Sequence, residues 1–259
     1  MRILAERALQ RNPLIQRRQA WTVECAGAPD LPFVLYVLTQ GAPVCEPHNR
    51  PNPNLLTSPA QWAKVNHQSV LEPTARAQVH KILSEEVEAG ILVRVMEGDG
   101  QGVSMDNLAS WGFLSYIHPM GAVPKMEGTK QVGIRVIQNY AYPRLNAVND
   151  FVSYFPQKFS KMDEVADYVD RNPGCFAAKI DLSSYFRHLP IDPIDWRLLV
   201  AVWDFGQGYE PLIDTRMPFG LRHAPEVCCR FSSVVMYAVI KRFGQWVSRL
   251  GLMYLYPTW

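Results

Sequence analysis

The residues best equipped to do chemistry lie in residues 175–190, CFAAKIDLSSYFRHLP. This stretch delivers one carboxylate, Asp181, from the end of an apolar strand, and places an aromatic, Phe186, five residues later. An ionised carboxylate leaving a buried strand is costly unless it meets solvent, a cation or a metal, so the arrangement predicts a metal-holding position. A second signal is residues 217–225, MPFGLRHAP, a Pro/Gly turn feeding an amphipathic helix. Its separation from Asp181 suits two parts of a single site.

A frame is needed to hold them, and length and composition bound what it is. A chain of 259 residues buries one large core or two small ones. With 48% hydrophobic and 19% charged residues it reads as an ordinary globular protein, which excludes disorder for the bulk. The net charge of +2 is too small to establish a polyanionic partner. Arg2, Arg7, Arg11, Arg17 and Arg18 against Glu6 read as a solvated basic tail, with nucleic-acid contact as the lesser reading. The five cysteines are odd in number and lack C-x-x-C spacing, which argues against a disulfide framework and a zinc knuckle and fits a reducing, intracellular compartment, nuclear or cytoplasmic. Cys45 and His48 have no partner pair downstream, too few ligands for a metal site. The N-terminus has charges where a secretory segment would be apolar. The longest apolar run, Leu31 to Leu38, contains Pro32 and is too short to span a bilayer, so no membrane partner is expected.

Local patterns supply the elements. Residues 41–60, rich in Pro and Asn, read as an irregular loop. Thr74 reads as a helix cap, with Ala75, Val79, Ile82, Leu83 and Val87 on one face and Gly90 as the stop. Strands are expected at 91–96, 111–118, 122–125 and 132–140, with a flexible turn at 97–102 that lacks the Lys-Ser/Thr of a P-loop. Residues 125–130 form a hairpin turn with a basic residue at each end. Ser160 to Asp163 resembles a capping box, and Met162, Val165, Ala166 and Val169 make a helical face closed by Pro173 and Gly174. A buried strand at 175–182 comes next. Residues 198–203 and 212–217 then read as an antiparallel pair around Gly206 and Gly208. Val227, Phe231, Val234, Val235 and Ala238 trace a helix face ending near Lys241, Arg242 and Gly244. The order predicts an α+β fold: an antiparallel sheet covered on one face by helices near 160–171 and 224–243.

The segments 123–125 (VPK), 134–137 (IRVI), 146–150 (NAVND), 179–190 (KIDLSSYFRHLP) and 217–225 together resemble the fingers and palm of reverse transcriptases. Val148-Asn149-Asp150, and Arg187 two places before Leu189, bring the resemblance nearest to tyrosine-recombinase retrotransposons of the DIRS and Ngaro type. It runs from about Leu71 to Gly244 and rests on several motifs in the right order.

The resemblance implies a right-hand polymerase architecture: an N-terminal extension at 1–70, a fingers-like region at 71–158 and a palm-like region at 159–259. Asp181, with the Leu182 carbonyl, would hold Mg²⁺, or Mn²⁺. Nucleotidyl transfer uses two such cations about 4 Å apart to activate a primer hydroxyl and stabilise the leaving pyrophosphate. Phe186 would be the gate against a ribose 2′-hydroxyl, favouring deoxynucleotides. Lys125 and Arg135 would grip the triphosphate, with Lys130 as the less favoured substitute for Lys125. Phe219 and Gly220 would form the turn on which nucleotide and template base lie. The implied partners are an RNA or DNA template-primer and a deoxynucleoside triphosphate. The family's Tyr-x-Asp-Asp hairpin is not found: Tyr254 and Leu255 are followed by Tyr256 and Pro257. A palm fragment with an incomplete metal site, inactive as a polymerase, is therefore expected. The alternatives are a non-catalytic nucleic-acid-binding remnant and an unrelated α+β protein in which Asp181 is structural.

Overall fold

The computed structural model describes residues 10, 12–46, 48–49, 66–95, 116–153, 162–176 and 182–244. Within them the fold is mixed α+β. The helices are α1 (Pro13–Gln16), α2 (Arg18–Glu24), α3 (Leu31–Gln40), α4 (Pro73–Glu88), α5 (Met162–Arg171) and α6 (Ala224–Phe243). The strands are β1 (Leu92–Arg94), β2 (Met120–Glu127), β3 (Lys130–Gln138), β4 (Val200–Asp204) and β5 (Tyr209–Asp214). They make an antiparallel three-stranded sheet of order β1-β5-β4 and a separate β2–β3 hairpin.

The pair expected around Gly206 and Gly208 is β4–β5, in the register Val200 to Ile213. Asp204 closes β4 by accepting the amides of Gly206 at 2.7 Å and Gly208 at 3.1 Å. Those amides, the Gly206 bond foremost, and the Arg76 guanidinium 3.0 Å away hold its carboxyl below the usual range. Alternation along β4 decides the layering. Val200 and Val202 enter the larger core, and Ala201 and Trp203 enter a second one with Val79, Leu83, Met120 and Leu212. A strand apolar on both faces must be covered on both. Accordingly α6 and the N-terminal helices share the first core while α4 and the β2–β3 hairpin share the second. This corrects the expectation of helices on one face only.

Several local readings also shift. Helix α4 starts at Pro73 with Glu72 as its cap, because proline at the first turn has no amide to leave unsatisfied; Thr74 lies inside the helix. Gly90, at φ +69°, ends it as expected. Helix α5 covers Met162–Arg171, but Val165 is only half-buried and Ala166 and Val169 are exposed, so these three do not form core. In α6, Val227, Phe231 and Val234 are buried as the spacing predicted. The β2–β3 hairpin turns where expected, with Glu127 opposite Lys130. Residues 96–115, 154–161 and 177–181 lie outside the described residues. With them lie the turn at 97–102, the Ser160 cap, most of the strand at 111–118 and the centre of the strand at 175–182. Of these two strands, Ile117 makes a parallel bridge to Val200, and Cys175 and Phe176 are exposed and in no strand.

The Leu31–Leu38 run lies in helix α3, whose Leu31, Val34, Val37 and Leu38 are buried. Among the described residues no helix is long and apolar enough to cross a membrane. Ala42 makes a parallel bridge to Ile191, and the Val44 amide donates to Asp195 Oδ2 at 2.8 Å. Residues on both sides of the expected boundary at 70 thus share one core.

Candidate functional site

Asp181 lies outside the described residues, which resume at Leu182. Leu182 is exposed. Ser184 takes a left-handed conformation, φ +50°, unusual for a residue with a side chain and a frequent mark of functional loops. The chain then dives inward through the 3-10 turn Tyr185–His188, which buries Phe186 and Arg187. Three contacts grip this turn. The Asn12 side chain, itself fully buried, donates to the His188 carbonyl at 3.0 Å. The Tyr185 hydroxyl lies 3.3 Å from both the Cys228 carbonyl and Ser232 Oγ on α6, and burial raises its pKa. The Arg187 guanidinium reaches Glu86 on α4 and Asp214 on β5.

Phe186 meets Phe219, with ring centroids 5.2 Å apart at 46°. Gly220 follows at φ +101°, where a Cβ would stand 3.1 Å from the Gln138 carbonyl and 3.5 Å from the Tyr140 ring. Both the backbone angle and the close approach require glycine. The Asn149 side chain clamps this turn, donating to the Gly220 carbonyl and accepting from the Arg222 amide, each at 2.9 Å. Asp150 accepts the Ala147 amide at 2.9 Å and steadies the segment that presents Asn149. Residues 146–150, a motif without an assigned role in the sequence, are thus the brace of the 218–222 turn. Gly220→Ala is expected to cost about 2 kcal/mol from strain and crowding combined. Urea unfolding checks this, and an unchanged midpoint would refute the close packing.

Lys125 and Arg135 share one face of the hairpin, because Val123 stands opposite Arg135, Lys125 stands opposite Gly133, and the bulge comes only after Lys125. Lys125 is exposed and Arg135 half-buried. The other face carries Ala122, Ile134 and Val136 onto the second core. The hairpin's end at Gln138 is what Gly220 abuts. The structure therefore brings Phe186, Phe219 and Gly220 together and sets Lys125 and Arg135 side by side on the neighbouring hairpin.

Beneath this cluster lies a buried charge network that sequence reasoning missed. Arg187 forks onto Glu86 at 3.1 and 2.8 Å and pairs with Asp214 at 2.5 Å. The other Asp214 oxygen accepts from Gln138 Nε2 at 2.5 Å, and the Tyr140 hydroxyl bonds to Gln138 Oε1. Burial raises the Asp214 pKa to about 6, with the Glu86 charge adding and the Arg187 guanidinium opposing. The only sequence signals were Arg187 within a motif and Asp214 in a strand of unassigned facing.

The same contacts occupy Asp204 and Asp214, the two other aspartates that the palm-like region's strands carry. Asp204 is committed to two glycine amides and Arg76, and Asp214 to Arg187 and Gln138. Among the described residues no group of three or more His, Cys, Asp or Glu side chains is placed to hold a metal ion. Asp181 itself lies outside the described residues. No family model matches the chain, and no curated protein matches it in a sequence search.

Proposed function

We propose that this chain is the fingers and palm part of a protein related to RNA-directed DNA polymerases, of retroelement type, that engages a template-primer and a deoxynucleoside triphosphate. The supporting observation is convergence. Residues 146–150, 182–190 and 217–225 are far apart in sequence, yet meet where Asn149 clamps Gly220 and Phe186 touches Phe219. In this reading the half-buried Phe219 ring is the face of an aromatic platform for sugar and base, and Phe186, buried in the core, backs it. Lys125 and Arg135 supply the positive charge for the triphosphate, and Asp181 is the carboxylate for Mg²⁺ or Mn²⁺.

The 259-residue chain by itself is expected not to polymerise. Two divalent cations carry four positive charges, against one negative charge from Asp181, so Mg²⁺ would keep its waters and bind weakly. Phosphoryl transfer depends almost wholly on positioning and charge stabilisation, and little rate survives their loss.

Two measurements on the purified chain test this. A labelled template-primer and 2′-deoxyadenosine triphosphate are expected to bind, with salt-sensitive affinity for the former. Primer extension with Mg²⁺ or Mn²⁺ is expected to give no product. Failure to bind either probe would favour an unrelated α+β protein. Template-dependent synthesis abolished by Asp181→Ala would show that the metal site is complete after all.

A further inference from the structure

We propose that Arg187 is a positioning residue: through Glu86 and Asp214 it sets where Phe186 stands against Phe219, and thereby which nucleotide sugar the platform admits. The second half rests on the proposed nucleotide binding; the first half rests on geometry alone.

The network touches both rings through the backbone. Phe186 is the residue before Arg187 in a tight 3-10 turn, so the direction of the Arg187 side chain constrains the Phe186 ring. Phe219 precedes Gly220, whose close approach to the Gln138 carbonyl ties that turn to the end of β3. Gln138 in turn donates to Asp214, which pairs with Arg187. The two rings are therefore the opposite ends of one chain of contacts: Phe186, Arg187, Asp214, Gln138, Gly220, Phe219. Glu86 anchors the middle of that chain to α4.

The choice of residue fits orientation better than stability. A buried ion cluster is a poor source of stability, since apolar side chains of the same volume do as well. What it supplies is direction. A planar guanidinium holding one carboxylate by a fork and a second by its remaining nitrogen has a single allowed pose, which a lysine ammonium lacks. Arg187 is 8% exposed and Asp214 fully buried, so water does not blur that pose.

The test uses the 259-residue chain with ring-labelled phenylalanine. In the unaltered protein, nuclear Overhauser contact between the Phe186 and Phe219 rings is expected. Arg187→Met, of similar length and apolar, leaves Asp214 buried without its cation and so lowers stability; where it folds, it should lose the contact. Glu86→Gln, which breaks the fork while keeping a hydrogen-bonding group, should weaken it. Arg187→Lys should not restore it. The ratio of affinities for 2′-deoxyadenosine triphosphate over adenosine triphosphate should fall by about threefold or more in Arg187→Met, since selectivity is a difference between two affinities. A folded Arg187→Met variant with the ring contact intact overturns the proposal. If that variant does not fold, an unchanged contact in Glu86→Gln overturns it. An altered contact with no binding of either triphosphate upholds the positioning role and refutes the nucleotide reading. An altered contact with unchanged selectivity refutes the specificity role.

Discussion

A chain that begins at Asn66 is expected not to fold cooperatively. Val34, Val37, Leu38 and Val44 are each no more than 2% exposed, in a core that also holds Ile191, Trp196 and Phe231. Fully burying one such side chain contributes about 1.5–3 kcal/mol, so the four contribute about 6–12 kcal/mol. A domain's whole net stability is about 5–15 kcal/mol. The polar losses point the same way: Asp195 loses the Val44 amide, and the His188 carbonyl loses Asn12. Near-ultraviolet circular dichroism and urea titration read the outcome. The full chain should show one sharp transition, and the truncated chain a shallow, non-cooperative one. A truncated chain with the full chain's midpoint would mean that the N-terminal helices are an appendage.

Acidification from pH 6.5 to 4 is expected to destabilise the protein through two buried histidines. Desolvation lowers the pKa of His118 and of His223 from 6.5 to about 4. His118 is held neutral with its ring against Tyr140 and its Nε2 2.7 Å from the Leu198 carbonyl. A depressed folded pKa means that the unfolded chain binds the proton first. The stability is thus present above 6.5 and lost as pH falls toward 4. At about 1.4 kcal/mol per pKa unit, each histidine accounts for on the order of 3 kcal/mol. Asp214 acts in the opposite sense. Its pKa is raised from 3.8 to about 6, so its contribution is fully present below 3.8 and lost as pH rises through 6. The two histidines outweigh this single opposing carboxyl, so the net effect of acid is loss. Urea midpoints across this range should fall with pH. They should fall more steeply in Asp214→Asn and more gently in the His118→Gln, His223→Gln double variant. A flat wild-type profile, or a double variant that parallels it, would refute the assignment.

How much of the fold and site was legible beforehand depends on the range of each interaction. The β4–β5 pair around Gly206 and Gly208, the turn at 125–130 and helix α6 all follow from periodicity and turn residues within a few positions of one another. The identity of the aromatic at 186 and of the Pro-Phe-Gly turn was equally plain. Their meeting was not, because nothing local to either segment says which ring it will face. Asn149 reaches Gly220, Arg187 reaches Glu86, and Asn12 reaches His188 across 71, 101 and 176 residues respectively. Nor does the apolar second face of β4 say that helix α4 and the β2–β3 hairpin are what cover it. An apolar residue states only that it must be covered, and a buried charge only that it must be paired; which partner does so is settled when the whole chain packs.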